Sequence, residues 1–187
     1  MQSRFLVEKE LKLLRSVLDE SAFLPLTVSL ETGLRIGDIV SLKVKDLQHD
    51  GLHFTARKTG KQGIAQISAS TRKKLNKKGL WLFPSPYIKG KHLTRQAVWS
   101  RIKTASKKCG LDVDGVSPHS MRKVFAVELY RKKGFKAVQE ALQHEYASTT
   151  EIYSFADWNT GENADLPLTR RDLKLIVKMV LEAIGKN

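Results

Sequence analysis

One segment decides the fold expected of this chain: Pro118-His119-Ser120-Met121-Arg122, followed by Leu142-Gln143-His144 and then by Thr149-Thr150-Glu151-Ile152-Tyr153. Two histidines, an arginine and a tyrosine at these spacings supply a nucleophile and cationic donors for a phosphate. Far upstream, Arg35 and Lys58 add two more cations. The set predicts covalent phosphoryl transfer.

The charge of the chain favours a polyanionic partner. Lys and Arg number 33 against 19 Asp and Glu, which gives a formal net charge of +14. The interval between Asp50 and Asp112 contains no acidic residue, although lysines and arginines occur throughout it. A merely solubilising surface would have acids interspersed with the bases. The interval therefore predicts a surface that meets phosphates, with nucleic acid as the first partner and an anionic membrane as the second.

Length and composition indicate a single globular domain over residues 1–187, with 41% hydrophobic and 28% charged residues. Cys109 is the single cysteine, which excludes an internal disulfide and any Cys-based metal site. Charges follow too soon after Met1 for a signal peptide. No apolar run approaches the roughly 18 residues that a membrane span needs. These features predict a cytoplasmic protein without a membrane partner.

Hydrophobic periodicity predicts a mainly α-helical chain of the α+β class with one small antiparallel sheet. Two short strands, 52–56 and 64–67, flank a turn that contains Gly60 and Gly63, which is typical of a hairpin. Gly33, Gly79, Gly110 and Gly134 are the expected helix stops. Helical patterns cover residues 7–32, 36–42, 70–78, 94–108, 119–133, 135–142 and 169–184.

Six residues occur in the order seen in tyrosine recombinases, the phage-integrase family: Arg35, Lys58, His119, Arg122, His144 and Tyr153. The matching motifs are Thr32-Gly33-Leu34-Arg35-Ile36-Gly37-Asp38, Lys58-Thr59-Gly60-Lys61, His119-Ser120-Met121-Arg122 and Leu142-Gln143-His144, with Tyr153 nine residues further on. The resemblance extends from about Phe5 to Asp157 and implies the tyrosine-recombinase catalytic fold. Gln143 stands where the family usually has Gly. Family members normally carry an amino-terminal DNA-clamping domain, so the resemblance implies that this sequence is either an excised fragment or a half-sized relative.

The resemblance implies a role for each member of the set. Arg35 and Arg122 would clamp the scissile phosphate, since a planar guanidinium can bind two oxygens and stays protonated. His119 would handle a proton or support the phosphate, and His144 would donate to a non-bridging oxygen. For each histidine the alternative is a structural residue.

Three further roles concern the reaction itself. Tyr153 would be the nucleophile that forms a 3′-phosphotyrosyl link; the nearby Tyr146 lies too close to His144 to match the pattern. Lys58 would be the general acid that protonates the departing 5′-oxygen, and Lys61 is its alternative. Asp38 would orient Arg35 through an ion pair, unless it is a surface acid. The resemblance implies no metal and no cofactor.

The predicted helix 94–108 is the candidate for contact with double-stranded DNA, because the corresponding helix of relatives lies in the major groove. Arg95 could bind guanine and Gln96 adenine, or both could contact phosphates only. Further DNA-binding candidates are Arg101, Lys103 and Lys61. The family also implies four protomers on DNA. The apolar stripe of helix 169–184 would then pack either on a neighbouring protomer or on its own core.

The first function hypothesis is a site-specific DNA recombinase (an integrase), with a mobile genetic element as its context. A type IB topoisomerase would share the tyrosine chemistry but rejoin the original strand. A non-catalytic DNA-binding module would have lost at least one of the six residues, and none is lost. An RNA-associated basic protein would explain the charge but not the ordered set.

Overall fold

A computed structural model describes residues 3–142, which belong to the unit Met1–Ala156. Within that range the elements are α1 (Glu8–Val17), α2 (Glu20–Thr32), α3 (Ile36–Val40), a 3₁₀ turn (Val44–Asp46), β1 (Leu47–Gln48), β2 (Gly51–Thr55), β3 (Gln62–Ala65), α4 (Ala69–Lys74), α5 (Arg95–Lys108) and α6 (Pro118–Leu142). The prediction of a mainly helical fold with a small antiparallel sheet is confirmed. The predicted helix 169–184 lies outside the described residues.

The helical pattern over 7–32 forms two helices rather than one. Leu18 has an extended backbone (ψ 134°), and Asp19 then caps α2 by accepting the N–H of Ala22 at 3.0 Å. At the other end Gly33 stops α2 in the left-handed conformation (φ 68°), and its N–H donates to the carbonyl of Ser29. The chain therefore turns sharply just before Arg35.

Gly33 is also required by its surroundings. A Cβ at this position would lie 2.4 Å from the ring of Phe125 and 2.8 Å from Leu142. Both contacts come from α6, so the end of α2 packs directly against both parts of that helix. This close approach brings the carbonyl of Gly33 within reach of α6 side chains.

The sheet is antiparallel in the order β1-β2-β3. The predicted hairpin is present, but Gly63 lies in β3 opposite Phe54, and Gly60 (φ 70°) alone of the two glycines adopts a turn conformation. β1, which pairs Leu47 with Leu52, adds a strand that the sequence did not indicate. The hairpin turn that carries Lys58 projects from the end of β2.

The boundaries of α5 and α6 agree with the predicted caps and stops. Thr94 caps α5 through a 3.1 Å bond from the N–H of Ala97 to its hydroxyl. Pro118 begins α6, as suits a residue without an N–H at the first helical position. Gly134 interrupts α6 with φ 76° and ψ −176°, so the two predicted helices 119–133 and 135–142 meet there.

The hydrophobic core joins the helices to the inner face of the sheet. Its fully buried side chains include Leu6, Leu14, Leu26, Val28, Ile39, Leu52, Leu82, Val98, Ile102 and Val116. A second, small cluster of Ala126, Val138 and Leu142 packs the two parts of α6 together. Across residues 3–142, every helix is too short or too polar to cross a membrane. The core fixes α2, α3 and α6 as the frame of the candidate site.

Candidate active site

Arg122 lies at the centre of the candidate site and is almost fully buried, with 4% of its surface exposed. Its guanidinium donates to the carbonyl of Gly33 at the end of α2, and also to the carbonyl of Leu142 at 2.8 Å. Carbonyls at helix ends lack partners within their own helix, so a buried cation satisfies them well. Arg122 therefore joins the start of α6 to the end of α2 and to Leu142, and those bonds fix its position.

His119 lies one helical turn before Arg122. Its backbone N–H donates to the hydroxyl of Ser117 at 3.2 Å, which holds the first turn of α6. Burial lowers the pKa of the His119 ring below its ordinary value of 6.5, and the positive charges of Arg122, Arg35 and Lys123 lower that pKa further. The imidazole is nevertheless partly open to solvent. The structure thus brings Arg35, His119 and Arg122 into one electropositive site.

The lowered pKa of His119 predicts a pH dependence of stability. A folded-state pKa below the unfolded value means that the unfolded chain binds the proton more readily, so stability falls as pH drops below 6.5. We expect the free energy of unfolding of His119→Gln to fall less steeply than that of the wild type over this interval. Urea unfolding at a series of pH values measures both slopes. Equal slopes would contradict the electrostatic neighbourhood described for His119.

Arg35 reaches this site from the start of α3. Its backbone is extended (φ −70°, ψ 140°), and its carbonyl accepts the N–H groups of Asp38 at 2.9 Å and Ile39 at 3.1 Å. The side chain is half-buried, and its charge acts on His119. The sharp turn at Gly33 is what directs Arg35 toward α6 instead of continuing α2.

Asp38 has a different partner from the one the sequence indicated. Its carboxylate is buried, with 6% exposed, and accepts the backbone N–H of Arg57 at 3.2 Å. The structure corrects the predicted ion pair with Arg35, and the alternative of a surface acid is also wrong. Asp38 instead fixes the residue that precedes Lys58.

The turn that carries Lys58 and Lys61 is anchored at its base. The carbonyl of Ala56 accepts the N–H of Thr59 at 3.2 Å and that of Gly60 at 2.7 Å. The N–H of Ala56 donates to the backbone carbonyl of Lys61 at 2.8 Å. Both lysines are exposed. Lys58 therefore lies on an exposed turn that is tied to α3 through Asp38.

Lys123 is a member of the site that the sequence reasoning missed. It is half-buried, burial lowers its pKa, and its Nζ donates to the carbonyl of Ser3. Its position four residues after His119 places both side chains on one face of α6, a spacing that could have identified it. This lysine adds to the positive potential around His119.

The candidate DNA-binding residues separate into two groups. Arg95 and Gln96 are exposed at the first turn of α5. Arg101 is instead bonded to the hydroxyl of Ser21 and paired with Asp19 at 3.6 Å. Lys103 donates to the carbonyls of Val113 and Asp114, the latter at 3.3 Å. Arg101 and Lys103 thus also hold other parts of the fold together, and contact with DNA stays a prediction for all five residues.

Two of the six predicted catalytic residues, His144 and Tyr153, lie outside the described residues. The chain nevertheless reaches the site just before them, because Leu142 accepts a bond from Arg122. Among residues 3–142, no group of three or more His, Cys, Asp or Glu side chains could hold a metal ion. The described chemistry is that of a cationic, anion-binding site.

Comparison with known proteins identifies the family of the chain. The model of the phage integrase family matches residues 4–159. Tyrosine recombinase XerD of Agrobacterium fabrum is 32% identical over 150 residues, which cover 66% of this chain and 45% of that protein. Tyrosine recombinase XerC of Erythrobacter litoralis is 34% identical over 134 residues, covering 67% and 43%. The chain thus spans less than half the length of these relatives.

Solved structures share the fold. A lambda integrase dimer bound to a COC′ core site has a TM-score of 0.71 at 22% identity, covering 90% of this chain and 51% of that one. The catalytic domain of bacteriophage HP1 integrase has a TM-score of 0.65 at 22% identity, covering 87% and 94%. A lambda integrase tetramer bound to a Holliday junction has a TM-score of 0.67 at 22% identity, covering 79% and 48%. With the family model matched from residue 4 to residue 159, the chain belongs to the phage integrase family.

Proposed function

We propose that this chain cuts and rejoins duplex DNA at specific sites through a 3′-phosphotyrosyl intermediate. The observation that supports this most strongly is the grouping of Arg35, His119 and Arg122 in one electropositive site. Arg122 in addition binds the carbonyl of Leu142, two residues before His144. Fixed cations of this kind stabilise the charge that develops on the non-bridging oxygens of a phosphate under attack.

The proposed reaction conserves the phosphodiester bond. The phenolic oxygen of Tyr153 attacks the phosphorus while its proton passes to His119, the bond to the 5′-oxygen breaks, and that oxygen takes a proton from Lys58. Rejoining reverses these steps: an incoming 5′-hydroxyl attacks the phosphotyrosine, its proton returns to Lys58, and Tyr153 is released and regains its proton from His119. Because one ester replaces another at each step, the reaction consumes no cofactor.

The proposed partner is double-stranded DNA, bound by four protomers during strand exchange. The curated relatives are named tyrosine recombinases, and one structural neighbour is a tetramer on a Holliday junction. These names favour exchange between two duplexes over relaxation of one by a type IB topoisomerase. The predicted helix 169–184 lies outside the described residues and stays a candidate either for contact between protomers or for packing on its own core.

A trapping experiment tests the proposal. A library of duplexes with a variable core carries a nick beside each possible cleavage position, so that the cut fragment diffuses away and the covalent protein–DNA adduct accumulates. We expect wild-type protein to give an adduct that survives denaturant and maps to Tyr153 by peptide mass spectrometry. When a second duplex with a free 5′-hydroxyl is added, the DNA of the adduct should be joined to it and the protein released. Failure to trap any adduct from the library would overturn the proposal.

Lys58 can be tested separately as the general acid. Lys58→Ala should slow adduct formation by about 10²- to 10⁴-fold, the usual contribution of a positioned acid. A substrate with sulfur at the bridging 5′ position has a leaving group that needs no proton, so it should restore the rate of Lys58→Ala. Lys61→Ala is the matched control on the same turn and should react normally with both substrates. If Lys61→Ala slowed adduct formation and Lys58→Ala did not, Lys61 would be the general acid instead of Lys58.

A further inference from the structure

The loop Ser85–Lys91, which joins the strand-like segment at Phe83 to α5, carries the most exposed large apolar side chain among residues 3–142. Tyr87 is 82% exposed and Ile88 is 60% exposed. Lys89 and Lys91, which follow directly, are also exposed. An aromatic and an aliphatic side chain beside two cations form an unusual surface, since exposed apolar groups cost solubility unless they have a partner.

The loop is held in one conformation by its own hydrogen bonds. The N–H of Ser85 donates to the carbonyl of Lys91 at 2.8 Å, and the Ser85 hydroxyl accepts the N–H groups of Tyr87 at 3.3 Å and Ile88 at 3.2 Å. Gly90 closes the turn with φ 79°. Tyr87 and Ile88 are thus presented on a preorganised turn, which reduces the entropy lost when a partner binds.

The base of the loop is anchored to the body of the domain. Pro84 and His92 form an isolated β-bridge, and the indole N–H of Trp81 donates to the carbonyl of Gly90 at 2.9 Å. The ring of His92 packs edge-on against Trp81 with 4.8 Å between centroids. These contacts fix the base of the loop to the rest of the domain.

The loop also lies beside the helix that bears the candidate base-reading residues. Thr94, the N-cap of α5, follows the loop two residues after His92. The guanidinium of Arg101 lies 5.9 Å from the centre of the Tyr87 ring, so the tip is alongside α5. If a DNA duplex bound Arg95 and Gln96, this loop would lie next to the duplex.

We propose that the Ser85–Lys91 loop is a second DNA contact, which binds the duplex beside α5. Lys89 and Lys91 bind phosphates, while Tyr87 and Ile88 pack against the sugars and base edges of the adjacent groove, as apolar groups can do in DNA complexes. The inference rests on the proposed function. The absence of acidic residues from 51 to 111 in the sequence matches this polyanionic partner better than it matches a protein surface.

The salt dependence of DNA binding distinguishes the contribution of the two lysines of the loop from that of Tyr87 and Ile88. With the full chain and a fluorescein-labelled duplex of mixed sequence, anisotropy gives the affinity at several salt concentrations. Lys89→Ala/Lys91→Ala should reduce the slope of log affinity against log salt by about 1.8, or roughly 0.9 for each lost phosphate contact. Tyr87→Ala/Ile88→Ala should lower the affinity about tenfold with the slope unchanged, because no charge is lost.

Lys107→Ala/Lys108→Ala is the matched control, since it removes two exposed charges at the other end of α5, about 20 Å away for 14 residues. It should leave the slope close to that of the wild type. The loop proposal would be overturned if the Lys89/Lys91 and Lys107/Lys108 variants changed the slope equally. It would also be overturned if both loop variants bound DNA with wild-type affinity. Neither result would affect the proposed function, provided that the covalent adduct still forms. A change in sedimentation of Tyr87→Ala/Ile88→Ala without a change in DNA affinity would also overturn it and indicate a protein contact. Absence of DNA binding by the wild type would overturn the proposed function as well.

Discussion

Replacing Tyr153 with phenylalanine should abolish covalent attachment to DNA while leaving DNA affinity unchanged. Phenylalanine lacks the phenolic oxygen that attacks phosphorus, and no water-mediated route produces a protein–DNA bond. The cationic residues that bind the phosphate are all retained. The nicked-duplex assay measures the adduct, and anisotropy on the same duplex measures affinity.

Tyr146→Phe is the matched control for this experiment, since it removes the same oxygen seven residues upstream. It should form adduct at the wild-type rate. Adduct formation by Tyr153→Phe together with its loss in Tyr146→Phe would reverse the assignment of the nucleophile. Loss in both variants with reduced DNA affinity would point to a structural role for the two rings.

Replacing Arg122 with alanine should damage both the fold and the reaction. It removes the donors to the buried carbonyls of Gly33 and Leu142 and leaves those oxygens unpaired. Hydrogen bonds from a charged donor contribute roughly 1.5 to 3 kcal/mol each, so we expect the free energy of unfolding to fall by about 3 to 6 kcal/mol. For a chain of this size the melting temperature should fall by on the order of 10 °C.

The chemical effect of Arg122 can be measured below the melting temperature of the variant. There Arg122→Ala should form adduct at least about 10²-fold more slowly, because a fixed donor to the phosphate oxygens is missing. Arg122→Lys keeps the charge but not the planar fork, so it should recover part of the stability and little of the rate. Arg95→Ala removes an exposed arginine and should change stability by less than about 0.5 kcal/mol. A normal urea midpoint for Arg122→Ala would contradict the bonds to the two helix ends.

Local sequence signals were sufficient for most of the framework. Thr94 and Gly134 mark helix boundaries because capping and left-handed backbone are properties of single residues. The break at Leu18–Asp19 was missed because the apolar periodicity continues across it. β1 was missed because two residues are too few to show an alternating pattern.

The site was harder to predict where long-range contacts decide a role. Asp38 binds a backbone N–H 19 positions away, and spacing on a helix gives no information about such a partner. Arg101 and Lys103 carry the same charges as the exposed bases around them, yet tertiary contacts with α2 and with Val113 occupy them. Composition can establish that a surface is basic, but only packing shows which cations remain available to a ligand.

The bond from Lys123 to the carbonyl of Ser3 has a practical consequence for protein engineering. Lys123 is close enough to His119 to lower its pKa, so the chain at Ser3 is near the proposed cleavage centre. An affinity tag or fluorescent fusion ahead of Ser3 would therefore place its added residues close to the bound DNA strand. A linker at this point should therefore be neutral, since an acidic one would be repelled by the bound strand.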